Sequence, residues 1–219
     1  MSARSASQER ERVPWVIGVS GASGTPYARA VLNGLLDAGH PVDLVISRAA
    51  RLTLVDETGL AFRDTHWRED LGTWLGRGFI DGEVAHWASG NLAAGPASGS
   101  YRTRGMVVVP ASTSAVAGIA IGLSKDLLQR AADVTLKERR TFVIVPREAP
   151  YTRATLQHML TLHDAGAVVL PASPGFYAAQ QSVQQLADFI AAKVLDALGV
   201  EHDLIQRWTG HLGQARDDG

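Results

Sequence analysis

Residues 13–40 read VPWVIGVSGASGTPYARAVLNGLLDAGH, and the turn GVSGASG (18–24) at their centre decides the fold. To its left, Val13–Val19 is a near-continuous apolar run, as expected of a strand buried on both faces. To its right, Thr25-Pro26 supplies an N-cap and a first-turn proline. Ala28, Val31, Leu32, Leu35 and Leu36 then recur at helical spacing, and Gly39 stops them. A glycine-rich turn of this kind offers backbone N–H groups at a helix N-terminus, a place suited to a phosphate.

Four further β-rich runs follow: PVDLVIS (41–47), MVVVP (106–110), TFVIVP (141–146) and AVVLP (167–171). Apolar strands alternating with helical patterns predict a three-layer α/β fold with a parallel sheet, flavodoxin-like or Rossmann-like. The last helix opens on Ser182-x-x-Gln185, a capping box, and its apolar stripe is Val183, Leu186, Ala187, Ile190, Val194 and Leu195. Residues 58–104 carry weak periodicity and are expected to be the least regular part, as a lid or a subunit contact. The expected organisation is one domain over 13–210, with flexible tails at 1–12 and 211–219.

Bulk composition narrows the functional classes. The chain has 219 residues, 46% hydrophobic and 20% charged, enough for one well-buried domain. A net charge of −1 gives no field for nucleic acid or an anionic membrane surface. There are no cysteines, which excludes disulfides, thiolate metal sites and a cysteine nucleophile. The absence of a long apolar run implies a soluble protein, and a cytoplasmic setting is the expectation.

In an open parallel sheet, ligands bind beyond the carboxyl ends of the strands. The turns expected there are Gly21-Ala22-Ser23-Gly24, Ser47-Arg48, Ala111-Ser112-Thr113-Ser114, Arg147-Glu148 and Pro174-Gly175-Phe176-Tyr177. Three hydroxyl-rich turns with an Arg-Glu pair and a tyrosine describe a site for a polar, phosphorylated ligand. The dinucleotide fingerprint fails because Ser20 stands where its second glycine belongs, and no lysine supplies a Walker loop. A single phosphate monoester such as FMN fits the opening loop better. A plain strand–helix turn is the competing reading. Arg130 and Lys137 lie seven apart, on one helical face, with Asp133 spaced to pair with either. Arg147 and Glu148, stiffened by flanking prolines, read either as an ion-paired loop or as a phosphate clamp with a proton shuttle. His158 and His163 are five apart, wrong for a helical metal pair. Trp67, Trp74, Trp87 and Trp208 suit a core, an interface or a π-rich pocket wall.

Taken in order, VSGASG, ISRAA, VPASTS, RAADVTLKERR, VPREAPY and LPASPGFYAAQQS resemble the UbiX-type flavin prenyltransferases over roughly residues 14–210. The resemblance implies a homododecamer that joins the dimethylallyl group of dimethylallyl phosphate to N5 and C6 of reduced FMN, without a metal. The prenylated FMN so formed serves UbiD-type decarboxylases. By motif, FMN would contact Gly21, Ala22, Ser23, Ser47, Ser112, Thr113, Ser114, Ala115 and Arg147. The allyl phosphate would be held by Lys137, Arg147, Glu148, Tyr177 and Lys193, some of them across a subunit boundary. Ser23, Glu57, Lys137 and Glu148 match the catalytic positions, and Trp208 matches a family tryptophan. The chain departs from the family pattern at Arg48 and Lys193, where lysine and arginine are usual, at Ala115, and in YAAQQS, which lacks a proline. The alternatives are an FMN-dependent peptidyl-cysteine decarboxylase of the same superfamily and a flavin-binding protein without turnover.

Overall fold

The computed structural model describes residues 12–79, 81–176 and 181–205. Among them, six parallel strands form one sheet in the order β3-β2-β1-β4-β5-β6. They are β1 (Trp15–Val19), β2 (Val42–Ile46), β3 (Val84–His86), β4 (Gly105–Ala111), β5 (Thr141–Pro146) and β6 (Val168–Val169). Seven α-helices accompany them: α1 (Thr25–Asp37), α2 (Arg48–Thr58), α3 (Trp67–Leu75), α4 (Thr113–Ala120), α5 (Leu127–Lys137), α6 (Arg153–Asp164) and α7 (Val183–Leu198).

The strands alternate because both faces are covered. Trp15, Ile17, Val19, Val107, Val109, Val143 and Val145 face one apolar cluster, completed by α1, α3 and α7. Val16, Met106, Val108, Phe142 and Ile144 face the other, built with α4, α5 and α6. A period of two with apolar residues on both faces gives the uninterrupted runs seen in the sequence.

Four of the five expected strands span nearly the expected residues, and the fifth shortens to the two residues of β6. Residues 58–104 are the least regular stretch, as expected, yet they hold α3 and the edge strand β3, and Trp74 is buried in the main core. Three residues, Val-Ala-His, are too few to show a period, so the strand left no signal in sequence. Arg12, assigned to the tail, is anchored instead. Its guanidinium donates to the fully buried Asp43 carboxylate at 2.6 Å and to the carbonyls of Val42 and Gly82. The Tyr101 hydroxyl donates to the other Asp43 oxygen at 2.9 Å. Burial, then the Asp43 charge and hydrogen bond, push the Tyr101 phenol up to about 12.

Candidate active site

Strand order reverses between β1, which continues to β2, and β4, which continues to β5. That reversal opens a crevice at the carboxyl edge of the sheet, and the chain's serine-rich turns border it. Ser20 stitches the two strand ends together. Its buried hydroxyl donates to the Pro110 carbonyl at 2.9 Å and accepts from the Ser112 N–H at 2.7 Å. The sequence marked Ser20 only as a missing glycine. The structure makes it the link that fixes the first turn against the third.

A cavity of about 320 Å³ lies here, lined by Ser20 and, from the expected set, by Gly21, Ser47, Ser112, Ser114 and Ala115. Thr113 lies outside that lining, and Ala22 is buried beneath the turn. Ser47 and Ser112 are the N-caps of α2 and α4, accepting from the N–H groups of Ala50 and Ala115. Gly21 is needed for close approach: a Cβ there would lie 2.4 Å from the Ala49 Cβ and 3.0 Å from its carbonyl carbon.

Beyond the same turn, a second cavity of about 380 Å³ is bordered by Ser23, Gly24, Tyr27, Glu57, Val183 and Leu186. Val183, expected in the buried stripe of α7, is 72% exposed, because the capped first turn of that helix projects past the core. The N-terminus of α1 also differs from expectation. Its N-cap is Gly24 in the left-handed region at φ 115°, with no side-chain cap of its own. The cap comes from 33 residues away. Glu57 accepts from the Gly24 N–H and the Thr25 N–H, both at 2.8 Å, and from the Thr25 hydroxyl at 2.6 Å. Burial works to raise its pKa, but these bonds and one from the Ser23 hydroxyl outweigh it and hold the carboxyl below its ordinary value. The N–H groups that the sequence offered to a phosphate are therefore occupied by a carboxylate of the chain itself.

Arg147 follows β5, its N–H donating to the Ala111 carbonyl at 3.1 Å. Its side chain runs toward Gly24, and its buried Nε has no hydrogen-bond partner among the described residues. A buried N–H donor without an acceptor costs about 1–3 kcal/mol, so this atom points to an anionic ligand. Glu148 is exposed on the loop, accepting from the Ala149 N–H at 3.0 Å.

Two residues expected beside Arg147 lie elsewhere within the chain. Lys137 ends α5, about 16 Å of helix beyond the cavity. It pairs with Glu138 at 2.5 Å next to Gly99, at the amino edge of the sheet. Lys193 stands ten residues into α7, its ammonium 3.7 Å from Asp196 and over the Phe189 ring. Arg130 takes the Asp133 partner that the spacing allowed, at 2.7 Å. Tyr177 and Trp208 lie outside the described residues. No group of His, Cys, Asp or Glu among the described residues is arranged to hold a metal ion.

Residues 3–195 match the Flavoprotein family. Over 217 residues, 94% of this chain and 100% of the relative, the sequence is 62% identical to a flavin prenyltransferase UbiX of Streptomyces coelicolor. The chain belongs to the UbiX flavin prenyltransferase family. Solved UbiX structures share the fold. One, crystallised with FMN and dimethylallyl pyrophosphate, superposes with a TM-score of 0.79 at 32% identity, covering 91% of this chain and 99% of that one. A dodecameric FMN-dependent UbiX-like decarboxylase from Escherichia coli gives 0.79 at 34% identity, covering 90% and 100%.

Proposed function

We propose that the protein is a flavin prenyltransferase, joining the dimethylallyl group of dimethylallyl phosphate to N5 and C6 of reduced FMN. One observation carries the reading: two unlike cavities meet at the turn after β1, with the unpaired Arg147 Nε beside that turn. The hydroxyl-lined cavity suits the polar part of FMN. The second, bordered by Pro26, Tyr27, Val183 and Leu186, suits an isoprenoid.

FMN supplies the electron-rich N5 and the ring carbon; the rest falls to the chain. As the allylic C–O bond breaks and the bond to N5 forms, negative charge gathers on the departing phosphate. The Arg147 guanidinium stabilises it, a kind of contact worth about 10²–10³ in rate. Closing the second bond, to C6, would consume the prenyl double bond: one proton adds to the alkene, its tertiary carbon bonds C6, and C6 gives up its ring proton. The phosphate held by Arg147 would supply the one proton and accept the other, with the exposed Glu148 carboxylate as relay. Ser23 faces the reacting region, and Glu57 acts through it: a carboxylate engaged by four donors positions the turn and is a poor base.

Lys137 and Lys193 belong, on this reading, to the site of a neighbouring copy in a homo-oligomer, because within one chain they sit far from Arg147. Tyr177 and Trp208 complete the donor site by motif. A UbiD-type decarboxylase receives the product. None of the described helices is long and apolar enough to cross a membrane. A cytoplasmic setting is part of the proposal.

The test is anaerobic incubation with reduced FMN and dimethylallyl phosphate, followed by mass spectrometry of the extracted flavin. A gain of one isoprene unit is expected, and unmodified flavin after prolonged incubation would overturn the proposal. Mixed oligomers of Lys137→Ala and Arg147→Ala chains test the shared site. Activity above that of either variant alone is expected; none would place Lys137 outside the chemistry.

A further inference from the structure

We infer that a separate cavity, between α1, α3 and the first turn of α7, binds a small apolar monocarboxylic acid through Arg29. The cavity measures about 500 Å³ and shares no lining residue with the serine-lined one. It shares only Pro26 and Val183 with the cavity beside Glu57, and neither Ser23 nor Glu57 lines it. The inference does not depend on the flavin reading.

Charge is the first argument. Arg29 is the one titratable group among the lining residues described. Its neighbours on and beside α2 and α3 each hold a carboxylate: Arg51 takes Asp64, Arg63 takes Asp70, Arg68 takes Asp81 and Arg77 takes Asp37. The half-buried Arg29 has no ion-pair or hydrogen-bond partner among the described residues. A Cβ at Gly76 would lie 3.3 Å from its Nη2, so the guanidinium rests over the C-terminal turn of α3, which Gly76 closes at φ 72°. A helix end carries about half a negative charge, enough to orient a guanidinium and too little to neutralise it.

The second argument is the supply of donors. The Thr25 hydroxyl donates to Glu57 at 2.6 Å, that of Thr58 to the Leu54 carbonyl at 2.6 Å and that of Thr73 to the Glu69 carbonyl at 3.0 Å. The Gln184 carboxamide donates to Asp188 at 2.7 Å. The hydroxyls have only lone pairs left to offer, and these repel excess negative charge. Arg29 is then the strong donor of the site, and its planar fork matches a carboxylate. One cation balances a monoanion, whereas a phosphate dianion would keep an unbalanced charge.

The rest of the wall is apolar. Pro26, Leu60, Val183 and the buried Trp74 supply it, with the indole as the broadest surface. An anionic head at Arg29 and a compact aromatic or branched body would use both halves of the cavity.

The experiment titrates the full chain with phenylacetate by ligand-observed NMR, with phenylacetamide and phenyl phosphate as comparators. Phenylacetate should bind with a Kd of about 0.1–1 mM, as suits so small a ligand. The amide and the phosphate should each bind at least about tenfold more weakly. Arg29→Gln should weaken phenylacetate about tenfold and leave phenylacetamide unchanged, and Arg29→Lys should recover part of the loss. Arg29 makes no bond within the described chain, so both variants should unfold within about 2 °C of wild type. Saturating FMN should leave phenylacetate affinity unaltered. No binding of phenylacetate, equal affinity for the amide, binding indifferent to Arg29→Gln, or displacement by FMN overturns the inference. Tighter binding of phenyl phosphate overturns the choice of a carboxylate. A chain that binds the acid but no flavin would sink the flavin reading and leave this one standing.

Discussion

Replacing Gly21 by alanine tests whether the turn after β1 is seated as tightly as the structure shows. The new Cβ would lie 2.4 Å from the Ala49 Cβ, 3.0 Å from the Ala49 carbonyl carbon and 3.3 Å from its Cα. Carbon atoms rest at about 3.5–4.0 Å, so the turn and the start of α2 must part by about 1 Å. Two of the three contacts are backbone, and no rotamer relieves them. Overpacking of this kind costs about 1–3 kcal/mol, which lowers the melting temperature by about 2–12 °C in a chain of this size. The same 1 Å separates hydroxyls that must act together on one ligand, so FMN affinity should fall about 10–100-fold. The assay pairs thermal unfolding with FMN titration of Gly21→Ala, Ala49→Gly and the double variant. Ala49→Gly removes the nearest contact, so the double variant should recover part of both losses, giving a clear coupling energy. Wild-type FMN affinity in Gly21→Ala, or strict additivity in the double variant, would refute the reasoning.

Other outcomes follow from the same geometry. Glu57 has a lowered pKa, so its cap is intact above the ordinary glutamate range and is lost as pH falls through the lowered value. Glu57→Ala should lose about 1 kcal/mol at neutral pH, and the stability gap to wild type should close as pH falls below the ordinary glutamate range and through the lowered value; a gap independent of pH would contradict the cap. Arg12→Ala leaves the buried Asp43 with Tyr101 alone, and water reaching the vacated site softens the penalty to about 2–3 kcal/mol. A melting temperature within 2 °C of wild type, against the expected fall of about 4–12 °C, would show that Asp43 does not depend on the pair. Ultraviolet titration should find one phenol ionising near 12, absent from Tyr101→Phe. A curve unchanged by that substitution would remove the buried Asp43–Tyr101 contact.

What could be read from the sequence was whatever repeats locally. The runs around Ile17, Leu44, Val107 and Ile144 declare buried parallel strands because both pleat faces are apolar. The serine and glycine turns then follow from the rule that ligands meet the carboxyl edge. β3 escaped because three residues carry no period. The Glu57 cap escaped because its partners lie 33 and 32 residues away, and no spacing rule spans that gap. Lys137 shows the converse: its motif was clear, but a motif does not tell whether the end of an 11-residue helix meets a ligand of its own chain or of a neighbouring copy.

A crystal structure with bound FMN tests the central claim most directly. The account expects the nucleotide between the ends of β1 and β4, against the Ser47 and Ser112 turns, with its ring toward Ser23 and Arg147. A flavin seated away from the serine turns, with Arg147 still lacking an acceptor, would contradict it.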